Sequence, residues 1–506
     1  MKFKFSTRRS VFSRLKDFNR NLFFGLVVLI RRIIKSTFLM SPNEKKIVIV
    51  LLLVVLILGG FKGKEYYLSH TKIVANFGGT YKEDCVGEVK YINPILAGTD
   101  SEKSASTLVF SSLFKFDKTG GIIPDAALRW EISADKMIYT VTLRDDVYFH
   151  DGEKLTAADV VYTIQTIQDP GFKSPLFETW QDIKVDQKGD NNVVFTLPRP
   201  YGPFIFTLDF GILPVHLSPD ELAQNPIGTG PYKYDTSKRN GDKISQLNLK
   251  SNSKYYNGRP FINKIELDFL DTKDAAISSF GKGQDYQTLS GVSAKETGFK
   301  DFSYPTSKQL VLVPNLRLDK FKNKTFRTQV MNDDQKLPTK TTINLATADA
   351  ELQRNKAEEL KKSFADRNID LNIKYYKPTE MKEVLDKKDY ELLLFGFDFR
   401  HDRDPYIFWH STQIDKMNYA GYSDKKSDIL LEDARMVSDP KDRNAKYDQF
   451  FTTAKTESLV RYFEPVTFYQ IISETIKGVD VSGSIDSGSK YLTVGKWYMD
   501  EKRIKK

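Results

Sequence analysis

The chain has 506 residues, 40% hydrophobic and 28% charged, with a formal net charge of +10. That length exceeds one ordinary core and calls for two or three lobes. Residues 1–46 hold twelve of the 76 bases but only two of the 66 acids, Asp17 and Glu44, leaving 64 of each in the remainder. A neutral body lacks the footprint that phosphate-backbone binding needs, which excludes a nucleic-acid partner.

The first apolar stretch, Leu22 to Ile34, is broken by Arg31 and Arg32. It is too short to span a bilayer and reads as an interfacial helix with its arginines near anionic headgroups. Ile47 to Phe61 is a stronger run, IVIVLLLVVLILGGF, flanked by Lys45 and Lys46 before it and by Lys62 and Lys64 after it. Tyr66 and Tyr67 follow at headgroup level and lengthen the span. No small-x-small cleavage site follows this run. Cys85, the only cysteine, is preceded by Lys82-Glu83-Asp84 and so lies outside any lipobox. It forms no intrachain disulfide or thiolate metal site and reads as a small buried residue. The expectation is an uncleaved anchor over residues 47–67, with a basic cytoplasmic tail at 1–46 and everything after the anchor exported.

Beyond the anchor, strand and helix patterns alternate. Ile138 to Leu143 alternates as a half-buried strand. Thr156 to Ile167 reads as a helix capped by Thr156, with Asp159 completing the cap and Val160, Val161 and Ile164 on one face. Glu351 to Asn368 is amphipathic, with Leu352, Ala357, Leu360 and Phe364 as its expected buried face and Asn368 as its C-cap. Leu371 to Tyr375 is an alternating strand, and Tyr390 to Phe397 an apolar one buried on both faces. Ser427 to Ala434 and Pro440 to Thr456 read as helices. The mixture points to an α/β or α+β chain with more than one sheet.

Catalytic constellations are missing. The five histidines, His70, His150, His216, His401 and His410, have no metal-ligand spacing. Gly228-Thr229-Gly230 is not a phosphate loop, and no GxSxG elbow occurs. Asp402 and Asp404 are a carboxylate pair of the kind that arises by chance at this charge density. No enzyme activity, metal or cofactor is expected.

Four separated stretches together resemble the family 5 extracellular solute-binding proteins, which include the oligopeptide- and dipeptide-binding subunits of ABC importers. The first is Gly78-Gly79-Thr80 with Ile92-Asn93-Pro94. The second is the most specific. It runs from Ile123-Pro124-Asp125-Ala126-Ala127-Leu128-Arg129-Trp130 through Phe149-His150-Asp151-Gly152 to Leu155-Thr156-Ala157-Ala158-Asp159-Val160. The third is Pro226 to Tyr232 followed by Asn252, Tyr256 and Gly258 to Pro260. The fourth begins at Tyr390, passes Gly396-Phe397 and Asp404-Pro405, and closes at Asp439-Pro440 and Arg443. Physically these residues read as architecture. The Gly228/Gly230 pair is expected to permit tight turning, and Trp130, Tyr139 and Phe149 to fill cores.

The resemblance implies a two-lobed periplasmic-binding-protein-like fold with a central cleft, preceded by one transmembrane helix. Lobe I with an inserted subdomain would occupy 75–300, lobe II 301–465, and a C-terminal return to lobe I 466–506. It implies a peptide or other small solute in the cleft, and ABC permease and ATPase subunits as partners. The ligand-binding candidates it implies are Gly396, Phe397, Asp398 and Asp402. An acid near the Gly-aromatic motif pairs with the peptide amine in that family. Here the segment from Gly396 to Pro405 is one residue longer than the family spacing. This puts Arg400 four residues after the glycine and His401 four before the proline. The stretch between Asn315 and Thr341 is also short for the family, so lobe II is expected to be trimmed. The alternative is a surface sensor or adhesion module on the same scaffold.

Overall fold

Twenty-nine residues, Pro42–His70, form one helix, because its apolar run contains no breaker other than paired glycines and Ser41 caps it in a reciprocal box with Glu44. The computed structural model describes residues 41–117, 119–280, 288–291, 298–399 and 401–506. The Leu22 to Ile34 segment and nearly all of the basic tail lie outside the described residues. No residue of the long helix is buried, and it is long and apolar enough to cross a membrane.

The chain divides into two units, residues up to Val74 with Glu501–Lys506, and Ala75–Asp500. In the first, the helix runs into the strand Thr71–Asn76, which pairs with Asp500–Lys505 as a two-stranded ribbon. The Lys506 N–H donates to the His70 carbonyl at 3.0 Å.

The second unit is built on a mixed ten-stranded sheet. Its order is Ile369–Tyr376, Thr341–Ala348, Leu392–Asp398, Phe299–Pro314, Arg461–Ser473, Thr288–Ser290, Gly78–Val86, Ile262–Leu270, Lys243–Ser251 and Tyr232–Asn240. Thr341–Ala348 is parallel to both of its neighbours, and so is Gly78–Val86. Parallel neighbours need crossovers, and Glu351–Ala365 supplies one between Thr341–Ala348 and Ile369–Tyr376. A separate four-stranded antiparallel sheet holds Ala127–Ile132, Ile138–Leu143, Asn192–Thr196 and Lys184–Gln187.

Two groups of apolar side chains sit toward opposite ends of the large sheet. One gathers residues between Tyr81 and Phe269 with the C-terminal Tyr491, Val494 and Trp497. The other end is packed on both faces by side chains between Leu310 and Val460. The antiparallel strands Phe299–Pro314 and Arg461–Ser473 run from one end to the other, and their register slips between Pro305, Gln309 and Val311. Such irregularities bend a strand pair and leave it locally unpaired. We call the ends lobe I and lobe II.

Most elements fall where the patterns put them. Ile138–Leu143 and Pro440–Thr456 have the expected bounds. Thr156 and Asp159 cap the helix Ala157–Gln168. Tyr139 and Phe149 are core residues, Cys85 is a buried free thiol, and Trp130 is half-buried against the same core. In Glu351–Ala365, Ala357, Leu360 and Phe364 are buried, but Leu352 is 45% exposed. Leu352 stands five residues before Ala357, which places it about 140° round the helix, off the apolar stripe. Asn368 lies three residues past the helix with φ +63°, a left-handed position that asparagine tolerates.

Gly228 and Gly230 have another role than turning, since neither is among the positive-φ glycines. A Cβ on Gly228 would lie 2.2 Å from the Val109 carbonyl oxygen, and one on Gly230 2.6 Å from it. Gly230 also donates its N–H to that oxygen at 2.8 Å. The pair lets two backbones touch at the end of the helix Asp100–Val109. Gly230→Ala is expected to destabilise the fold by about 2–3 kcal/mol, read as a lower urea midpoint, because backbone must move to admit the methyl.

Candidate functional site

The strand Leu392–Asp398 carries three of the four candidate residues. Its alternation sends Phe397 into the lobe II core, 4.1 Å from Phe408 between ring centroids. It leaves Gly396 exposed beside Leu310 and Asp398 half-buried. Asp398 accepts a hydrogen bond from the Ser307 hydroxyl at 2.5 Å and faces the Lys103 ammonium of lobe I at 3.6 Å.

Asp402 turns the other way. Its side chain is buried and accepts from Arg443 Nε at 3.1 Å and from the Tyr447 hydroxyl at 3.4 Å. Burial and the neighbouring Asp404 push its carboxyl up to about 6, against the pull of Arg443 and Arg435. Asp404 accepts from Arg435 at 2.6 and 2.8 Å. Lobe I inserts into this cluster. The Arg435 guanidinium lies 4.6 Å from the Tyr201 ring, and that of Arg443 5.3 Å from the Phe206 ring. Arg199 donates to the Tyr406 hydroxyl at 2.7 Å. Gly202 allows the approach, since a Cβ there would stand 2.9 Å from the Arg435 carbonyl oxygen. Two carboxylates, two guanidiniums and two rings thus join the lobes at one edge.

Between the lobes lies a cavity of about 140 Å³. Phe110, Phe116 and Phe210 of lobe I line it, with Lys103, Lys115 and Asp209 at polar positions and Asp486 and Ser489 from the C-terminal return. From lobe II it is lined by His401, whose ring stacks on Phe116. Lys115 bonds to Asp125 and to the Tyr255 hydroxyl, each at 2.9 Å. Burial opposes its charge, but Asp125 and Tyr255 overcome this and push the ammonium up.

Of the four candidates, none lines this cavity. Asp398 borders it through its contact with Lys103, while Asp402 sits in the inter-lobe cluster. Arg400 lies outside the described residues; His401, next to it in the chain, is in the cavity lining. The lobe I lining was not legible in sequence, because Phe110, Lys115 and Phe210 come from segments a hundred residues apart that only the topology unites. His401 did carry a signal, as the residue at the position four before Pro405. Among the described residues no three His, Cys, Asp or Glu side chains gather as a metal site.

The family model described as bacterial extracellular solute-binding proteins, family 5 Middle, matches residues 121–330. The oligopeptide-binding protein AppA of Bacillus subtilis is 22% identical over 83% of this chain and 92% of its own length. The solved structure of that protein in complex with a nonapeptide superposes with a TM-score of 0.67 at 20% identity, covering 84% of this chain and all of the other. The ABC transporter substrate-binding protein CtaP of Listeria monocytogenes gives a TM-score of 0.70 at 21% identity, with the same coverage. The mixed α/β periplasmic-binding-protein fold, shared with these structures, and the family match over residues 121–330 agree, and the chain resembles the family 5 extracellular solute-binding proteins.

Proposed function

We propose that this chain captures peptides or similar small solutes outside the cell and delivers them to an ABC permease and its ATPase. The observation that supports this most directly is the cavity between two lobes joined by irregular crossing strands. Such strands absorb rotation, and a ligand touching both lobes binds the closed form better than the open one. A peptide held in extended form would offer its backbone to the exposed end of Leu392–Asp398, with Gly396 and Asp398 as contacts that read no side chain. Lys103, Lys115 and His401 would meet the acidic groups of the solute, and Asp209 and Asp486 its ammonium.

Tethering belongs to the same proposal. The exposed apolar helix Pro42–His70 supports an uncleaved anchor, and the bases before it support a cytoplasmic N-terminus. The lobe boundaries at 75–300, 301–465 and 466–506 follow the crossing strands in this reading.

The full chain, purified in mild detergent, is expected to carry small molecules visible by native mass spectrometry, and its melting temperature to rise with members of a peptide library. Binding at a hundredfold excess over Kd would add about 2.7 kcal/mol of stability. Repeated absence of both a ligand and a thermal shift would sink the solute-capture reading. Intact mass of the membrane-bound form tests the anchor separately, since cleavage would remove the first sixty or so residues.

A further inference from the structure

The C-terminal ribbon stands apart from everything the solute cleft requires. Asp500–Lys505 pairs with Thr71–Asn76, the residues that directly follow the anchor helix. Three contacts hold its end to the helix terminus. The Lys506 N–H donates to the His70 carbonyl at 3.0 Å, its ammonium to the Ser69 carbonyl at 2.7 Å, and Arg503 to the Thr71 hydroxyl at 2.9 Å. Arg503 also lies over the Tyr67 ring at 5.9 Å. These acceptors are neutral, so they orient the two cations without cancelling their charge.

The charge is concentrated here. Residues 62–72 and 501–506 hold seven bases against two acids, Glu65 and Glu501, a net +5, while residues 73–500 carry a net −5. The ribbon is also wet and partly apolar. Every residue of Asp500–Lys505 is exposed, and Ile73 and Ile504 are 53% and 39% exposed. Cations around exposed aliphatic side chains, one helical turn past the Tyr66–Tyr67 pair, match the chemistry of an anionic bilayer surface. Such a surface attracts nearby lysines and arginines within a Debye length and accepts shallow apolar groups.

We propose that this ribbon is a membrane-surface binding element, a basic collar that seats on anionic lipid headgroups at the outer end of the anchor. The inference rests on the reading of Pro42–His70 as a membrane anchor. It gives the pairing of Asp500–Lys505 with the strand after the anchor a purpose, since the last strand brings Lys502, Arg503, Lys505 and Lys506 to the level where the helix leaves the bilayer.

The test uses the full chain with Cys85→Ala and Ile504→Cys, spin-labelled at the new thiol and reconstituted in vesicles. Vesicles of phosphatidylcholine alone are compared with vesicles containing about 30% phosphatidylglycerol. In the anionic vesicles the label is expected to lose about threefold of its accessibility to a water-soluble relaxant, and to regain it in 1 M salt, where the Debye length is about 3 Å. Charge reversal at Lys502 and Lys505 is expected to abolish the protection. Neutral Gln variants at the same positions guard against loss of strand pairing and should give an intermediate value. A label equally accessible in both vesicle types overturns the proposal while leaving the anchor intact. Extraction of the chain by alkaline carbonate overturns both, and neither result touches the solute-capture reading.

Discussion

Replacing Lys490 by Met is expected to destabilise the Ala75–Asp500 unit by about 3–5 kcal/mol at pH 7, one of the largest single losses in the chain. Glu83 is completely buried in the strand Gly78–Val86, and so is Lys490 in the C-terminal return. The ammonium meets Glu83 at 2.5 Å and the Ser290 hydroxyl at 2.9 Å. The Tyr81 hydroxyl donates to the same carboxylate at 2.6 Å, as does that of Tyr491. Burial alone would raise the Glu83 carboxyl, but Lys490 and the surrounding hydroxyls more than offset it, and the group titrates below its usual range. With a folded pKa below the unfolded one, the stability this group contributes is present above the unfolded value, about 4.3, and is lost as pH falls through the folded value. Without Lys490, burial wins and Glu83 retains a proton. The deficit of Lys490→Met should therefore shrink toward pH 5 in urea titrations. Adding Glu83→Gln should recover part of it, because a neutral amide costs less to bury than a lone charge. A Lys490→Met chain within about 1 kcal/mol of the parent at pH 7 would falsify this account. Lys490 adjoins Ser489, which lines the inter-lobe cavity.

This pair also marks how far the sequence could be read. Local signals carried well wherever one element decided its own fate. Thr156 and Asp159 capped a helix, Pro440 opened one, and the alternation in Ile138–Leu143 made a strand. The family motifs carried the fold over most of the chain. Pairings across several hundred residues did not show. Nothing in Lys82-Glu83-Asp84 announces that the middle residue meets Lys490, because strand alternation says which face a side chain takes and not what lies there. The C-terminal ribbon was hidden for the same reason: its residues read as part of a C-terminal return to lobe I, and nothing in them names Thr71–Asn76 as their partner. Gly230 was legible as a constrained glycine, but its reason, the Val109 carbonyl, comes from a distant helix. The site was the least legible part. Asp398 and Asp402 are four residues apart, yet one borders the cleft and the other enters the inter-lobe cluster.

That division yields the second large effect. Arg443→Ala is expected to cost about 3–5 kcal/mol at pH 7.5 and distinctly less at pH 5. The Arg443 side chain is 1% exposed, and it donates to Asp402 and to the carbonyls of Val437 and Ser438, the latter two at 3.0 Å each. Its loss leaves Asp402 buried beside Asp404 with its largest attraction gone and only the weaker pull of Arg435 remaining. In the parent, the Asp402 carboxyl already lies up at about 6, above its unfolded value. A raised acid weakens the fold as pH climbs from the unfolded pKa to the folded one, here from about 4 to about 6. Removing the guanidinium lifts that upper limit, so the variant should lose stability over a wider range, and the gap between the two chains should open with rising pH. The Phe206 ring that Arg443 lies over belongs to the other lobe, so the variant should also part the lobes, read as a larger radius of gyration by solution scattering without ligand. Asp402→Asn separates the two roles open to this residue. As a contact for a solute ammonium, Asp402 would take peptide affinity down about tenfold or more when neutralised, with the scattering curve of the free protein unchanged. As a member of the inter-lobe cluster, its neutralisation would relieve the repulsion from Asp404, flatten the pH dependence of stability between 4 and 6, and move affinity only through lobe closure. The buried geometry favours the second outcome, and a tenfold affinity loss at unchanged lobe separation would decide for the first.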